Sequence, residues 1–413
     1  MPRRITAVRP PFRVMSPSLE QPSQTHRSAV RRIAIARAIS IAGAEAAYVA
    51  IVATMLDRTG SAAWVSAALL AWIGVGGLVS PIAGSLGDRY DRRRVMIASD
   101  LAGAATFAAI AFVHDPRGLL ALTVVAAIAE APFTPAATAA IPNLTPSHDL
   151  GWANGLISAG RTFGGLVGPV MGGLLYGTVG AGAAFAVNAA SFVLSAALIA
   201  TVHGTFSERR DGTDRELLAG FRFVGRSPFL RSLACGWSLF LLGIGLMLVA
   251  ELPMARLLGA GSLGYGVMVS GWAAGSLAGS LVAKRVVARH GELPSLLWGA
   301  GCAAIALGAI GVAPWLASAA ALLAVAGFLN AISAVAEETM VQRSTPDAVR
   351  SRVMAAQEAI WIAALGIGLG AGGAVLSAVG VRATYLLAGV LGLGGTLLLA
   401  WLLSRARARV TAQ

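Results

Sequence analysis

The stretch GSLGDRYDRRR, residues 84–94, holds four arginines and two aspartates in a chain that is only 12% charged. Long apolar segments lie on both sides of it, near 62–86 and 95–113. Because several charges buried together in hydrocarbon are very costly, the charged part of this stretch has to lie in water. It therefore predicts a short charged loop at a membrane face, between two membrane-spanning helices.

The composition of the whole chain supports this interpretation. Of the 413 residues 56% are hydrophobic and 50 are glycine, and the mean hydropathy is +0.73. These values are typical of a polytopic helical membrane protein, with membrane lipids as its surroundings. The net charge of +13 falls in the gaps between apolar segments, so we expect it to set membrane orientation and not to bind nucleic acid.

The apolar segments predict twelve helices, each long enough to cross about 30 Å of hydrocarbon at about 1.5 Å per residue. They are expected at 33–56, 62–86, 95–113, 119–141, 152–177, 181–202, 232–257, 264–285, 293–313, 315–340, 352–378 and 383–404. The longest polar gap predicts a division into a disordered basic tail (1–32), a six-helix bundle (33–202), a linker (203–231), a second six-helix bundle (232–404) and a tail (405–413).

Arginine placement predicts the orientation of these helices. Most arginines lie in gaps on the side of the N-terminus, whereas Arg58, Arg117, Arg256 and Arg382 lie in gaps on the other side. Positively charged loops stay in the cytoplasm, so we expect both termini to be cytoplasmic. The protein is expected to be a monomer of the cell membrane.

An internal repeat relates the two predicted bundles. Thr145-Pro146 recurs 200 positions later as Thr345-Pro346. Three glycines recur at the same shift, from Gly168, Gly172 and Gly173 to Gly368, Gly372 and Gly373. Such repeats are characteristic of transporter folds that bind their substrate between two related halves.

Residues 33–404 resemble the major facilitator superfamily in their two six-helix halves and in the loop Gly-x-x-x-Asp-Arg-x-x-Arg-Arg. The signature residues of that loop fall on Gly84, Asp88, Arg89, Arg92 and Arg93. Asp91 replaces the usual glycine, and this variant, followed by Asp100, is similar to a bacterial branch of drug, macrolide and siderophore exporters. The resemblance implies the major facilitator fold, and it implies that the chain is a transporter of a small molecule and not an enzyme.

The same resemblance suggests roles for the charged loop. Asp88 is expected to meet the beginning of a helix in the second half, near 350–352, while the arginines hold the loop to the first half. Asp100 is a candidate partner for one of them. Asp91 either adds a contact between the halves or balances the arginines. The contact of Asp88 would stabilise the state that is closed to the cytoplasm.

A second motif resembles the pattern of antiporters in this superfamily. It lies on the fifth predicted helix and consists of Gly155, Gly164, Gly168, Pro169, Gly172 and Gly173. Glycines spaced by three or four residues let a neighbouring backbone approach closely, and a proline bends the helix. The alternative is ordinary packing of small residues. The motif favours export by exchange with protons.

Three charged residues inside predicted helices are candidates for the transport site. Glu45 lies near the middle of the first helix, and Glu130 and Arg161 lie at similar depths in the fourth and fifth. We expect a Glu130–Arg161 pair, with one or both glutamates taking up a coupling proton or meeting a cationic substrate. In the family, helices one, four, seven and ten line the central cavity. A purely structural ion pair is the alternative.

Other polar residues are weaker candidates. Arg37, about four residues into the first predicted helix, is expected to anchor it at the interface. Four acids near predicted helix ends are expected to be solvated or to act in gating, namely Glu251, Glu337, Glu338 and Glu358. The five histidines fall in tails or loops, and no metal site or cofactor is expected.

The sequence therefore predicts a proton-coupled secondary transporter that exports lipophilic or amphipathic compounds and contributes to drug resistance. The apolar composition of helices one, four, seven and ten favours such substrates. An importer or uniporter of a small metabolite is the first alternative, and a receptor or scaffold without transport is the second. The identity of the substrate does not follow from the sequence.

Overall fold

The computed structural model describes residues 24–79, 83, 89–204, 206 and 217–411, which form long helices joined by short turns. The helices are α1 (Gln24–Thr59), α2 (Ala62–Val79), α3 (Arg92–Ile110), α4 (Pro116–Leu144), α5 (Leu150–Thr178), α6 (Ala181–Ala200), α7 (Pro228–Leu257), α8 (Gly261–His290), α9 (Glu292–Val312), α10 (Leu316–Ser344), α11 (347–379) and α12 (381–411). A short linker helix, Leu217–Arg226, lies between the halves in sequence.

Nine helices among the described residues are long and apolar enough to cross a membrane, if 352–405 is counted as one. Gly380 interrupts that helix with φ 81° and ψ 170°, which divides it into α11 and α12. With this division, and with the more polar or glycine-rich α3 and α5, the described helices are consistent with the twelve predicted spans.

The first helix begins earlier than the sequence suggested. It starts at Gln24, so residues 24–32 are helical and do not belong to a disordered tail as predicted. Arg27 forms an ion pair with Asp149 at 3.3 Å, and Val30 is fully buried. The basic residues of this segment suggested a solvated tail. In the structure Arg27 and Arg32 instead contact Asp149 and the Thr201 carbonyl, which lie far away in sequence.

The internal repeat is visible in the helices themselves. The spans α4 and α10 cover 116–144 and 316–344, a shift of 200 residues. Gly180 and Gly380, at the same shift, precede α6 and α12 with φ 103° and 81°. Residues with side chains rarely adopt such angles, so glycine is required at both turns.

Three polar contacts between described residues join the two halves near one end of the bundle. We call the end where α1 begins and α12 ends the terminal face, and the opposite end the distal face. Toward the distal face, Arg256 forms an ion pair with Asp57, the Gly373 N–H donates to Ser66 Oγ at 2.7 Å, and Ser262 Oγ donates to the Gly173 carbonyl at 3.1 Å. We call these three contacts the distal contact layer.

Candidate functional site

A cavity of about 610 Å³ lies between the halves, on the terminal side of the distal contact layer. We call it the central cavity. Apolar and aromatic side chains form much of its wall, including Trp72, Phe133, Phe192 and Ile362. Five charged residues also line it, namely Arg37, Glu45, Asp100, Glu130 and Glu358. A wall of this kind suits a ligand that is largely apolar and carries a few polar groups.

The first half contributes most of this wall. Residues 37, 40, 41, 44 and 45 of α1 lie on one helical face, because their spacings of three and four bring successive turns together. Among the described residues, the second half contributes four residues of α11, between 355 and 362. The described wall includes residues of α1 and α4, as expected. The expectation that α7 and α10 also line it is wrong for the described part of this cavity.

Local breaks in two helices shape the site. In α4 the regular helix ends at Glu130 and resumes at Phe133, with Pro132 in the turn between them. Proline lacks a backbone N–H, which interrupts the helical hydrogen bonds at this depth. In α2, residues 70–75 form a π-helical turn that includes Trp72. Such turns are frequent at functional sites.

Arg37 lies among the acids of the central cavity. Its Nη2 donates to Thr134 Oγ1 at 2.6 Å, and its guanidinium carbon lies 4.8 Å from the centre of the Phe133 ring. The charges of Asp100 and Glu130 both act on it. The expectation that Arg37 anchors the helix at the membrane interface is wrong, because α1 begins at Gln24 and carries Arg37 to the depth of the cavity.

The predicted pairing of Glu130 with Arg161 is wrong, because the cation near Glu130 in the cavity wall is Arg37. Arg161 is exposed and is not part of the cavity wall, although its charge acts on Arg37. Glu130 interacts electrostatically with Arg37, Asp100 and Glu45. The structure thus brings Glu45 and Glu130 to one cavity as the sequence suggested, with Arg37 in the place that was expected for Arg161.

Asp100 belongs to the central cavity and not to the charged loop. It is 2% exposed, lines the cavity on α3, and has Arg37 as the cation that acts on it. The sequence proposed instead that it partners a loop arginine. The signal for its true position was available, since Asp100 follows the start of α3 by more than two helical turns and lies in a largely apolar stretch of that helix.

The described part of the charged loop is held to the first half. Arg92 is 8% exposed and its Nη1 donates to the carbonyls of Ala139 at 2.9 Å and Phe206 at 3.2 Å. The Arg93 guanidinium donates to the Ala200 carbonyl, and Arg89 is exposed. The carboxylate of Asp91 caps α3 by accepting from the Arg94 N–H at 3.1 Å, a local role that the sequence did not suggest. Gly84 and Asp88 lie outside the described residues.

The glycines of α5 pack against both halves. A Cβ at Gly164 would lie 2.8 Å from the Ala38 carbonyl oxygen, and one at Gly168 would lie 2.6 Å from the Ala42 carbonyl oxygen. A Cβ at Gly172 would lie closer still to the Ala46 carbonyl oxygen of α1, and Gly173 and Pro169 contact Ser262 and Gly266 of α8. Gly155 has open space around it. Close packing thus explains five of the six motif residues.

Two acids that were expected to be solvated are buried. Glu251 on α7 is 2% exposed and Glu337 on α10 is 5% exposed, and each has a carboxylate oxygen without a hydrogen-bond partner in the protein. Glu338 and Glu358 are exposed, as expected. Proximity to a helix end therefore did not predict solvation. The helix α10 extends beyond the predicted end at 340, whereas α7 ends at Leu257 as predicted and Glu251 is nevertheless buried.

The chain belongs to the Major Facilitator Superfamily, whose profile matches residues 33–254 and residues 233–413. It is a multi-pass membrane transporter and not an enzyme. The predicted all-α major facilitator fold is confirmed.

Relatives and solved structures agree with this assignment. The chain is 29% identical to the multidrug efflux pump Tap of Mycolicibacterium fortuitum, over 88% of this chain and 93% of Tap. It is 28% identical to the enterobactin exporter EntS of Escherichia coli, over 73% of each chain. The nucleoside transporter NupG matches 91% of this chain over 99% of its own with a TM-score of 0.72 and 12% identity, which indicates a shared fold.

Proposed function

We propose that this protein exports lipophilic or amphipathic small molecules in exchange for protons, as a secondary active transporter that works by alternating access. The observation that carries the proposal is the central cavity, which combines an apolar wall with charges at membrane depth. The names of its relatives, a multidrug efflux pump and an enterobactin exporter, support the direction of transport.

The charge balance of the central cavity supports coupling to protons. Among the described residues of its wall, Arg37 is the one cation, whereas Glu45, Asp100, Glu130 and Glu358 are acids. Glu130 Oε1 and Asp100 Oδ2 are buried without a hydrogen-bond partner in the protein. Uncompensated charges are costly in a low-dielectric site, so a proton or a cationic substrate stabilises these carboxylates. The proton gradient then serves as the energy source, and no cofactor is needed.

Alternating access gives the two faces of the molecule different roles. The arginines concentrated at the terminal face support a cytoplasmic location of that face and of both termini, in the cell membrane. The halves are joined on the distal side of the cavity, so we assign this structure to the cytoplasm-facing state of a monomer. In the opposite state, Asp88 would connect the charged loop to the beginning of α11.

Transport in inverted membrane vesicles tests the coupling. We expect Glu130→Gln to reduce proton-driven uptake of a lipophilic dye by about 100-fold, as is common when a proton-transfer group is lost. Glu45→Gln is expected to act in the same direction. Glu338→Gln is the matched control, because Glu338 is exposed and lies outside the central cavity.

Two results would contradict the proposal. Undiminished dye/proton exchange in both glutamate variants would exclude these carboxylates as coupling groups. In whole cells that lack other exporters, expression should raise resistance to toxic lipophilic compounds, and a protonophore should abolish that resistance. Increased accumulation of the compounds on expression would favour an importer instead.

A further inference from the structure

A second cavity lies within the C-terminal half, between α10 and α11. Its volume is about 420 Å³, which is within the range of small-molecule sites. We call it the lateral cavity. It is lined by Ala334, Glu337, Glu338, Val341, Met354, Ala355, Gln357, Glu358 and Trp361. Ala355 and Glu358 also line the central cavity, so the two cavities adjoin at these residues.

Buried polar groups of the lateral cavity lack partners in the protein. Gln357 is 1% exposed, and neither its oxygen nor its nitrogen is hydrogen-bonded. Glu337 Oε1 and Trp361 Nε1 are likewise buried without a partner. Buried polar atoms are nearly always hydrogen-bonded in proteins, and an unpartnered one costs stability. A ligand that supplies both a donor and an acceptor would provide partners for groups of both kinds.

The charge of the lateral cavity defines the kind of ligand. Glu337 interacts electrostatically with Glu338 and Glu358, and no cation is found among the described residues that line the cavity. Glu338 also accepts a hydrogen bond from Gln342 at 3.1 Å, whereas Glu337 Oε1 has no hydrogen-bond partner in the protein. Repulsion among acids close together is relieved by a cation, and the Trp361 ring provides an aromatic surface for an apolar group.

We propose that the lateral cavity is a binding site for amphipathic organic cations that carry a protonated amine beside an oxygen acceptor. The ammonium group binds Glu337 and the Gln357 oxygen, the acceptor binds the Gln357 nitrogen or the indole N–H of Trp361, and the apolar part packs on the Trp361 ring. Glu358 lies where a bound molecule passes between the lateral and central cavities. This site goes beyond the proton-coupled central cavity, and its occupancy does not depend on the direction of transport.

Site-directed labelling of the purified full chain tests the proposal. Ala334→Cys is introduced into a background in which Cys235 and Cys302 are replaced by alanine, and its reaction rate with a thiol reagent is measured. We expect propranolol, an aryl amino alcohol that is cationic at neutral pH, to slow the reaction. The neutral diol of the same aryl ether should protect far less, since it lacks the ammonium group.

Matched variants identify the residues involved. We expect Glu337→Gln to weaken protection by propranolol about 30-fold, because a buried charge partner is lost. Glu338→Gln should weaken protection by a clearly smaller factor than Glu337→Gln, because the Glu338 carboxylate is exposed and already engaged by Gln342. Glu358→Gln, at an exposed position that does not threaten folding, should weaken protection by a smaller factor than Glu337→Gln.

Two outcomes would overturn the site. The first is equal protection by the amine and the neutral diol, and the second is equal affinity in Glu337→Gln and Glu338→Gln. Glu130→Gln separates this proposal from proton coupling in the central cavity. We expect that variant to lose transport in vesicles and to keep protection of Ala334→Cys by propranolol.

Discussion

The two halves of the molecule pack alike but differ in their charges. A Cβ at Gly168 would meet Ala42 and Glu45, and a Cβ at Gly368 would meet Leu242 and Gly245, which are the same positions shifted by 200. At that shift, Arg37 and Arg161 correspond to Trp237 and Trp361. The arginines interact electrostatically, whereas the tryptophan rings lie with their centres 6.5 Å apart.

At other positions too, a charged residue in one half corresponds to an uncharged residue in the other half. The three first-half acids of the central cavity, Glu45, Asp100 and Glu130, correspond to Gly245, Ala300 and Asn330. Conversely, the lateral-cavity acids Glu337 and Glu358 correspond to Ala137 and Ser158 of the first half. Backbone packing by small residues thus sets the shared architecture, while the side chains at equivalent positions place most charges of the central cavity in one half and the acids of the lateral cavity in the other.

The largest expected effect comes from removing the positive charge at position 37, where the second half has the uncharged Trp237. Arg37→Gln removes the cation that acts on Asp100 and Glu130 and the hydrogen bond that this cation donates to Thr134, and a hydrogen bond to a charged group contributes about 1.5 to 3 kcal/mol. We expect transport to fall to background and the thermal midpoint of the purified protein to decrease. Vesicle transport and thermal unfolding measure the two effects.

Trp237→Phe is the matched control in the second half. The phenyl ring keeps an aromatic partner for Phe240, whose ring lies 5.2 Å from that of Trp237, so transport should continue. Wild-type transport by Arg37→Gln, or an equal loss in both variants, would show that the charge at position 37 does not distinguish the halves.

A smaller effect tests the packing that the halves share. Gly168→Ala would place a methyl group 2.6 Å from the Ala42 carbonyl oxygen, and overpacking of this kind costs about 1 to 3 kcal/mol. We expect Gly368→Ala to cost a similar amount, because it meets the carbonyl oxygen of Leu242. Thermal unfolding of the purified variants provides the comparison.

Gly155→Ala controls for the substitution itself. It belongs to the same sequence motif but has open space around it, and alanine favours a helix over glycine by about 1 kcal/mol, so its stability should equal or exceed that of the wild type. If Gly155→Ala destabilised as much as Gly168→Ala, the close contact between α1 and α5 would not explain the effect of Gly168→Ala.

The fold could be predicted from sequence because it depends on patterns that survive side-chain variation. Apolar run length, loop arginines and glycines at a 200-residue shift predicted the two bundles, and the resemblance supplied the fold family. The start of α1 was missed because basic residues such as Arg27 look solvated in sequence, while in the structure Arg27 pairs with Asp149 across the first half. Such pairing between distant segments leaves no local signal.

The candidate site was predicted less completely. Glu45 and Glu130 were identified from their distance in residues from the ends of the predicted helices, because an acid in the middle of an apolar helix is rare. The same distances assigned the cation to Arg161, because the error at the start of α1 placed Arg37 too near the interface. The lateral cavity was missed because burial of Glu337 and Gln357 depends on how α10 and α11 face each other, which periodicity does not specify.

The smallest expected effect concerns the contact that joins the halves. Asp57→Asn removes the charge that pairs with Arg256, while the new amide oxygen still accepts from the Tyr176 hydroxyl. Both members of the pair are partly exposed, so the loss is at most about 1 kcal/mol, or about fivefold in the balance between closed and open distal faces. An impermeant thiol reagent should therefore react up to about fivefold faster with Ser66→Cys, in the distal contact layer.

Asp115→Asn provides the control for this last experiment, because Asp115 is also at the distal face but caps α4 within the first half. Asparagine caps helices as well as aspartate does, so the labelling rate should not change. High salt should raise the rate in the parent but not in Asp57→Asn, since it screens the pair that the variant lacks. Equal rates in both aspartate variants would mean that the shared backbone packing of α5 with α8 and of α11 with α2, and not the ion pair, holds the halves together.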